Sequence, residues 1–166
     1  GMVVENVTTN VDINVVGTGK HAGGLFATNY GMDVTSTYTN CVNNGNVKLE
    51  DTYIDKTGAA GMGTASTDVG GIFGNVGTKG NAGWYKIWGC TNNGTIEGQY
   101  RVAGMVAYVY ASGSTAFVDI QFCQNNGNLS YGRIPGVKEG TNCYDYCGPF
   151  VAYTNSPFTT IKYCID

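Results

Sequence analysis

Apolar positions in this chain return in a fixed ten-residue phrase, apolar-x-x-Cys-x-Asn-Asn-Gly-x-aliphatic, and not at helical intervals. The phrase is complete at Tyr38 to Val47, Ile87 to Ile96 and Ile120 to Leu129, and a fourth copy begins at Ile161 and reaches Cys164 before the chain ends at Asp166. Ahead of each copy stands a second phrase: Gly23-Gly24-Leu25-Phe26-Ala27, Gly70-Gly71-Ile72-Phe73-Gly74, Ala103-Gly104-Met105-Val106-Ala107 and Gly148-Pro149-Phe150-Val151-Ala152. After the first two residues of that phrase come two large apolar residues and then a small one in every copy. Such columns predict parallel strands stacked about 4.8 Å apart, with equivalent residues of successive repeats above one another. The branched and aromatic residues favour strands, and the Asn-Gly pairs favour tight corners. In the shortest unit, Cys90 to Cys123, this predicts three strands, Thr95 to Glu97, Val102 to Val109 and Phe117 to Gln121. Two adjacent apolar columns leave the inward face of the Gly-Gly strand open, and a sharp bend at one Gly would resolve it.

The four repeats, 21–49, 69–96, 102–129 and 147–166, therefore make residues 21–166 an all-β parallel β-helix, a solenoid of about four coils. Residues 1–20 alternate weakly at Val7, Val11, Ile13 and Val15 and read as a lead-in strand, a partial coil or a cap. The repeat cysteines are spaced 49, 33 and 41 residues apart, and the excess is localised. One insertion of 16 residues falls between Asn46 and Asp68, and one of 12 falls between Gly127 and Cys147. Both are expected to leave the stack along one edge, two coils apart, with the short Gly98 to Arg101 corner between them. Insertions on one edge of an array are often its binding face, and two strand spacings imply a trough about 10 Å wide. Gly1 ahead of Met2, and a last repeat that stops short, suggest a piece excised from a larger repeat protein.

Composition adds exclusions. Charged residues are 13% of the chain, about half the usual share of about 25%. Glycine at 26 and proline at 3 suit many tight turns and not a disordered linker. With a net charge of -3 there is no basic field, and nucleic acid is not expected as a partner. No apolar run approaches the roughly 20 residues of a membrane-spanning helix, and no signal-peptide pattern is visible.

The Gly-Gly-aliphatic-aliphatic-Gly phrase followed by Ile-x-x-Cys-x-Asn-x-Gly-x-Ile, clearest at Val69 to Ile96, resembles the GLUG-motif repeats of bacterial surface and secreted proteins. Ala103 and Pro149 depart from the glycine pair, and Cys stands where such repeats often carry Ser. The resemblance implies a right-handed β-helix at a bacterial cell surface or in the extracellular space, in an adhesin-like setting, beside further repeats or domains of the same parent chain. It implies no catalytic residues.

Of the candidate chemistry, Cys41, Cys90, Cys123 and Cys164 share one repeat position and read as a packed structural column. Stacking in line does not surround an ion tetrahedrally, so zinc is not expected, and no cofactor is implied. Cys143 and Cys147 stand outside that column, within the second insertion, and are a possible disulfide. The repeated Asn side chains read as hydrogen-bonded ladders. His21 is the only histidine and reads as a structural or surface residue. The ligand-binding candidates are Tyr53, Tyr100, Arg101, Tyr131, Arg133, Tyr144 and Tyr146, gathered at the insertion edge, where tyrosine offers flat apolar area with a polar tip to a glycan or a host protein. Two further readings compete: a polysaccharide lyase or glycoside hydrolase, with Glu97 and Asp51 or Asp145 as the carboxylates, and a structural spacer.

Overall fold

A computed structural model describes residues 1–17, 21–30, 34–51, 67–77, 83–111, 116–131 and 146–166. The first pass of the chain lays down β1 (Val3–Glu5), β2 (Thr8–Thr9), β3 (Ile13–Gly17), β4 (His21–Gly23) and β5 (Phe26–Asn29). The second supplies β6 (Thr35–Thr39), β7 (Val42–Asn43), β8 (Val47–Asp51), β9 (Asp68–Gly70) and β10 (Phe73–Val76). The third supplies β11 (Gly83–Trp88), β12 (Thr91–Asn92), β13 (Ile96–Gly98), β14 (Arg101–Ala103) and β15 (Val106–Val109). The fourth supplies β16 (Ala116–Gln121), β17 (Gln124–Asn125), β18 (Leu129–Tyr131), β19 (Tyr146–Gly148) and β20 (Val151–Thr154), and β21 (Thr159–Lys162) begins a fifth. Every strand pairs in parallel with the strand five places on. The result is five in-register sheets, here A to E in the order the chain visits them, consistent with the parallel β-helix expected from the repeats.

Each pass thus carries five strands, not the three expected. The long Val102 to Val109 strand is broken at Gly104-Met105 into β14 and β15, and the Asn-Asn-Gly corner contains a two-residue strand of its own. The break lets Met105 and Val106, adjacent in sequence, both be fully buried, which settles the ambiguous parity. The lead-in is part of the stack as well: Val4 lies against Tyr38, Thr9 against Asn43 and Ile13 against Val47. Residues Val4 to Ile13 are therefore a degenerate copy of the ten-residue phrase, with Val7 at the cysteine position and Thr9 at the first Asn.

Two apolar clusters fill the interior. One lies between sheets A and E and includes Tyr38, Tyr85, Ile87, Ile120, Phe73, Val106 and the cysteines; the other joins sheets C and D through Val47, Leu49, Ile96, Val69 and Val102. Truncating a fully buried residue such as Ile87 to Ala costs about 2–5 kcal/mol. Cys41, Cys90, Cys123 and Cys164 stack as expected and carry free thiols, with Thr91 N–H bonded to Cys41 O at 2.9 Å and Gln124 N–H to Cys90 O at 2.9 Å. Burial pushes the Cys41 thiol up, and the Cys90 thiol together with burial pushes Cys123 up, so both stay protonated. The residue before each column member turns the corner with positive φ: Asn6 (56°), Asn40 (53°), Gly89 (63°), Phe122 (55°) and Tyr163 (55°).

Between the two clusters runs a buried amide ladder. Asn43 Nδ2 donates to Asn92 Oδ1 at 2.9 Å, Asn92 Nδ2 to Asn125 Oδ1 at 2.9 Å and Asn125 Nδ2 to Asp166 Oδ1 at 2.8 Å. Each of these asparagines also donates to the carbonyl of the glycine two residues on, at 2.8, 2.9 and 3.1 Å. The amides meet the bend between sheets D and E, and this fixes the second glycine of the first three phrases, Gly24, Gly71 and Gly104. A Cβ on Gly71 would stand 2.1 Å from Gly104 O and 2.5 Å from Asn92 Cγ. The two recurring phrases of the sequence are thus the two halves of one contact.

Candidate functional site

Both long insertions connect sheet C to sheet D: one follows Asp51 and returns at Asp68, the other follows Tyr131 and returns at Tyr146. The two-residue corner Gln99-Tyr100 joins the same two sheets between them. The segments leave and return at one corner of the stack, as expected, although their own residues lie outside those described. That holds for the candidates Tyr53, Arg133 and Tyr144 and for Cys143. Tyr131 ends β18 and pairs with Gly98, and its side chain is likewise outside the description.

The remaining candidates come together. Arg101 begins β14 and lies in register between Asp68 of β9 and Tyr146 of β19, with His21 of β4 one strand further on. Val69 and Val102 point into the core, so strand alternation puts His21, Asp68, Arg101 and Tyr146 on the opposite face of sheet D. The fold at the Gly-Gly phrase brings that face against sheet E, where Thr28, Asn75, Tyr108 and Tyr153 form a second in-register column. The Arg101 guanidinium lies 3.8 Å from the Tyr108 ring centroid, 4.7 Å from Tyr100 and 5.5 Å from Tyr153. Tyr146 packs on Tyr153 at 4.6 Å and meets Tyr100 edge-on at 6.1 Å.

The charges are arranged in sequence along this column. Asp68 is 1% exposed, with Oδ1 at 3.0 Å from Arg101 Nη1 and Oδ2 at 2.8 Å from His21 Nδ1. Burial raises the Asp68 pKa, and the His21 contact and the Arg101 charge oppose the rise. These are ion-pair distances without hydrogen-bond alignment, and Arg101 Nε, Asn75 Oδ1 and Thr67 Oγ1 are also buried without a hydrogen-bond partner among the described residues. Tyr108, which accepts a hydrogen bond from Asn155 Nδ2 at 3.3 Å, has its pKa pushed up to about 12, chiefly by burial.

Arg101 is 7% exposed, and its ion pair with Asp68 and its ring contacts hold it against the tyrosines around it. Tyr100 and Tyr146 are partly exposed and remain presentable to a ligand. Of the carboxylates considered for hydrolysis, Glu97 lies on the solvent face of sheet C paired with Lys48 at 2.9 Å, and the side chains of Asp51 and Asp145 are outside the description. No group of three metal-ligating side chains occurs among the described residues. Cys147 lies in β19 opposite Val102, within the strand and not in the insertion as expected, and its thiol is free and exposed.

The sequence reading missed Asp68, Asn75, Tyr108 and Tyr153. The signal was present: aligned on the Gly-Gly phrase, the position two before it reads His21, Asp68, Arg101, Tyr146, which places opposite charges on adjacent strands. Comparison of the chain with protein-family models, with curated proteins and with solved structures finds no match in any of the three.

Proposed function

We propose that this chain is a right-handed parallel β-helix of GLUG-like repeats that serves as a non-catalytic recognition module of a bacterial surface or secreted protein, binding a glycan or a host protein at the corner between sheets C and D. One observation carries the reading. Two long insertions share that corner, and at its foot Tyr100 and Tyr146 are held in contact and partly exposed by a buried Arg101. Rigid aromatic side chains on a strand-built floor, bordered by loops of variable length, are how repeat arrays present a ligand surface. The arrangement asks no chemistry of Asp68, whose carboxylate is buried between Arg101 and His21.

The test is retention of the wild-type chain and of a Tyr100→Ala, Tyr146→Ala double variant on a glycan array and on a panel of extracellular host proteins. Loss of a wild-type signal in the folded double variant is expected. Equal retention of the two proteins contradicts the placement of the site, and no wild-type signal on either panel contradicts the function.

A further inference from the structure

The outer face of sheet A carries a second surface that no repeat requirement explains. Alternation along β11 and β16 sends Tyr85, Ile87, Val118 and Ile120 inward and turns Trp84, Lys86, Trp88, Phe117, Asp119 and Gln121 toward solvent. Trp84 stacks on Phe117 at 4.4 Å and Phe117 on Phe158 at 4.5 Å, with Trp84 48% and Phe158 46% exposed. The equivalent residue on β6 is Thr35, so the stack does not need a ring here. An exposed run of three aromatic rings on the water side of a sheet marks a contact surface.

Charge on this face is unbalanced. Asp119 is held by neutral donors, Trp88 Nε1 at 3.1 Å and Gln121 Nε2 at 2.9 Å. Lys86 and Lys162, which border the same cavity of about 280 Å³, form no ion pair among the described residues. Lys86 instead lies 5.3 Å from the Trp88 ring. Two ammonium groups against the single Asp119 carboxylate, which lies in register beside Lys86, leave this face with one excess positive charge on a chain of net charge -3, which favours an anionic ligand here.

We propose that this face binds an acidic saccharide chain. A row of rings along the stack offers the apolar contact that a pyranose face requires. One row over, about 7 Å away at two residues along the strand, Lys86, Asp119 and Thr160 offer donors and acceptors to ring hydroxyls and acid groups. An acidic peptide suits the face less well, because β11 and β16 are paired on both sides and leave no strand edge to extend. The site lies on a different sheet from the corner that carries Tyr100 and does not depend on it.

Both tryptophans of the chain, Trp84 and Trp88, lie on this face, so intrinsic fluorescence reports on it directly. The probes are oligomers of galacturonic acid and of glucuronic acid, a sulfated oligosaccharide, their uncharged counterparts and hexaglutamate. Saturable change with at least one acidic saccharide is expected, at least tenfold tighter than its uncharged counterpart and than hexaglutamate. Lys86→Gln with Lys162→Gln weakens it tenfold or more, Phe158→Ala weakens it at a surface position that folding does not need, and Tyr100→Ala with Tyr146→Ala leaves it unchanged. No saturable binding of any acidic saccharide, equal binding of an uncharged one or of hexaglutamate, or full binding by the double lysine variant overturns the proposal.

Discussion

Asn92 and Asn93 are neighbours in the same repeat phrase, and the structure assigns them opposite weights. Asn92 is 0% exposed; its Nδ2 donates to Gly94 O and to Asn125 Oδ1, both at 2.9 Å, and its Oδ1 accepts from Asn43 Nδ2 at 2.9 Å. Asn92→Ala leaves two acceptors, Gly94 O and Asn125 Oδ1, without these donors in the interior, whereas Asn43 Nδ2 keeps its bond to Gly45 O. At about 1–3 kcal/mol for each orphaned buried group, the loss is about 2–6 kcal/mol. The backbone of Gly71 already touches the amide, and neither it nor the ladder above can close the gap without breaking strand register. Asn93 makes an outer ladder of similar geometry, donating to Asn44 Oδ1 at 2.7 Å and accepting from Asn126 Nδ2 at 2.8 Å, but in solvent. Water replaces those bonds, and Asn93→Ala should cost less than about 1 kcal/mol. Urea titration followed by far-UV circular dichroism measures both. A domain of this size has about 5–15 kcal/mol in all, so the first variant should be visibly compromised and the second nearly unchanged. Equal costs for the two, or less than about 1 kcal/mol for Asn92→Ala, would refute the assignment of the inner ladder.

Three further outcomes are expected. Gly71→Ala places a methyl 2.1 Å from a backbone oxygen and should cost more than the about 1–3 kcal/mol of ordinary overpacking, read as a lowered melting temperature; a near-neutral result contradicts the close approach. Under native conditions iodoacetamide should label Cys147 and leave Cys41, Cys90 and Cys123 unmodified by mass spectrometry, all of them reacting only after unfolding. Tyr108 titrates at about 12 in the folded protein against 10.0 for an ordinary tyrosine, so its contribution to stability is complete below pH 10 and is lost as the pH rises from 10 to 12. Ultraviolet titration of wild type and Tyr108→Phe should differ by one late-ionising phenol, and that alkaline loss should be smaller in the variant.

Much of the stacking was legible because it depends on repetition. Columns of like residues at Leu25, Ile72 and Met105, or at Cys41, Cys90 and Cys123, are what in-register parallel pairing produces, and the lengths between them located both insertions at one corner. The five-strand pass was not legible. Breaking Val102 to Val109 in two depends on the contact of Asn125 with Gly104, which joins the two phrases of one repeat across successive passes of the chain and leaves no local mark. The lead-in reads in sequence only as a strand, a partial coil or a cap, because Val7 and Thr9 replace the Cys and Asn that signal the phrase, and pairing with Cys41 and Asn43 reveals the match. At the candidate site, Tyr100 and Tyr146 were found from their place beside the insertions. Asp68 and Tyr108 were not, because their importance comes from charge and ring contacts across adjacent strands and across the fold between sheets D and E.

The whole account depends on vertical register, and hydrogen-bond scalar couplings across the strands measure it most directly. In a uniformly labelled sample, the amide nitrogen of Thr91 should couple to the Cys41 carbonyl, that of Gln124 to Cys90 and that of Ile165 to Cys123, matching N–O distances of 2.9, 2.9 and 3.0 Å. Couplings to carbonyls shifted by one or more residues, or to partners arranged antiparallel, would contradict the stack and with it both proposed surfaces.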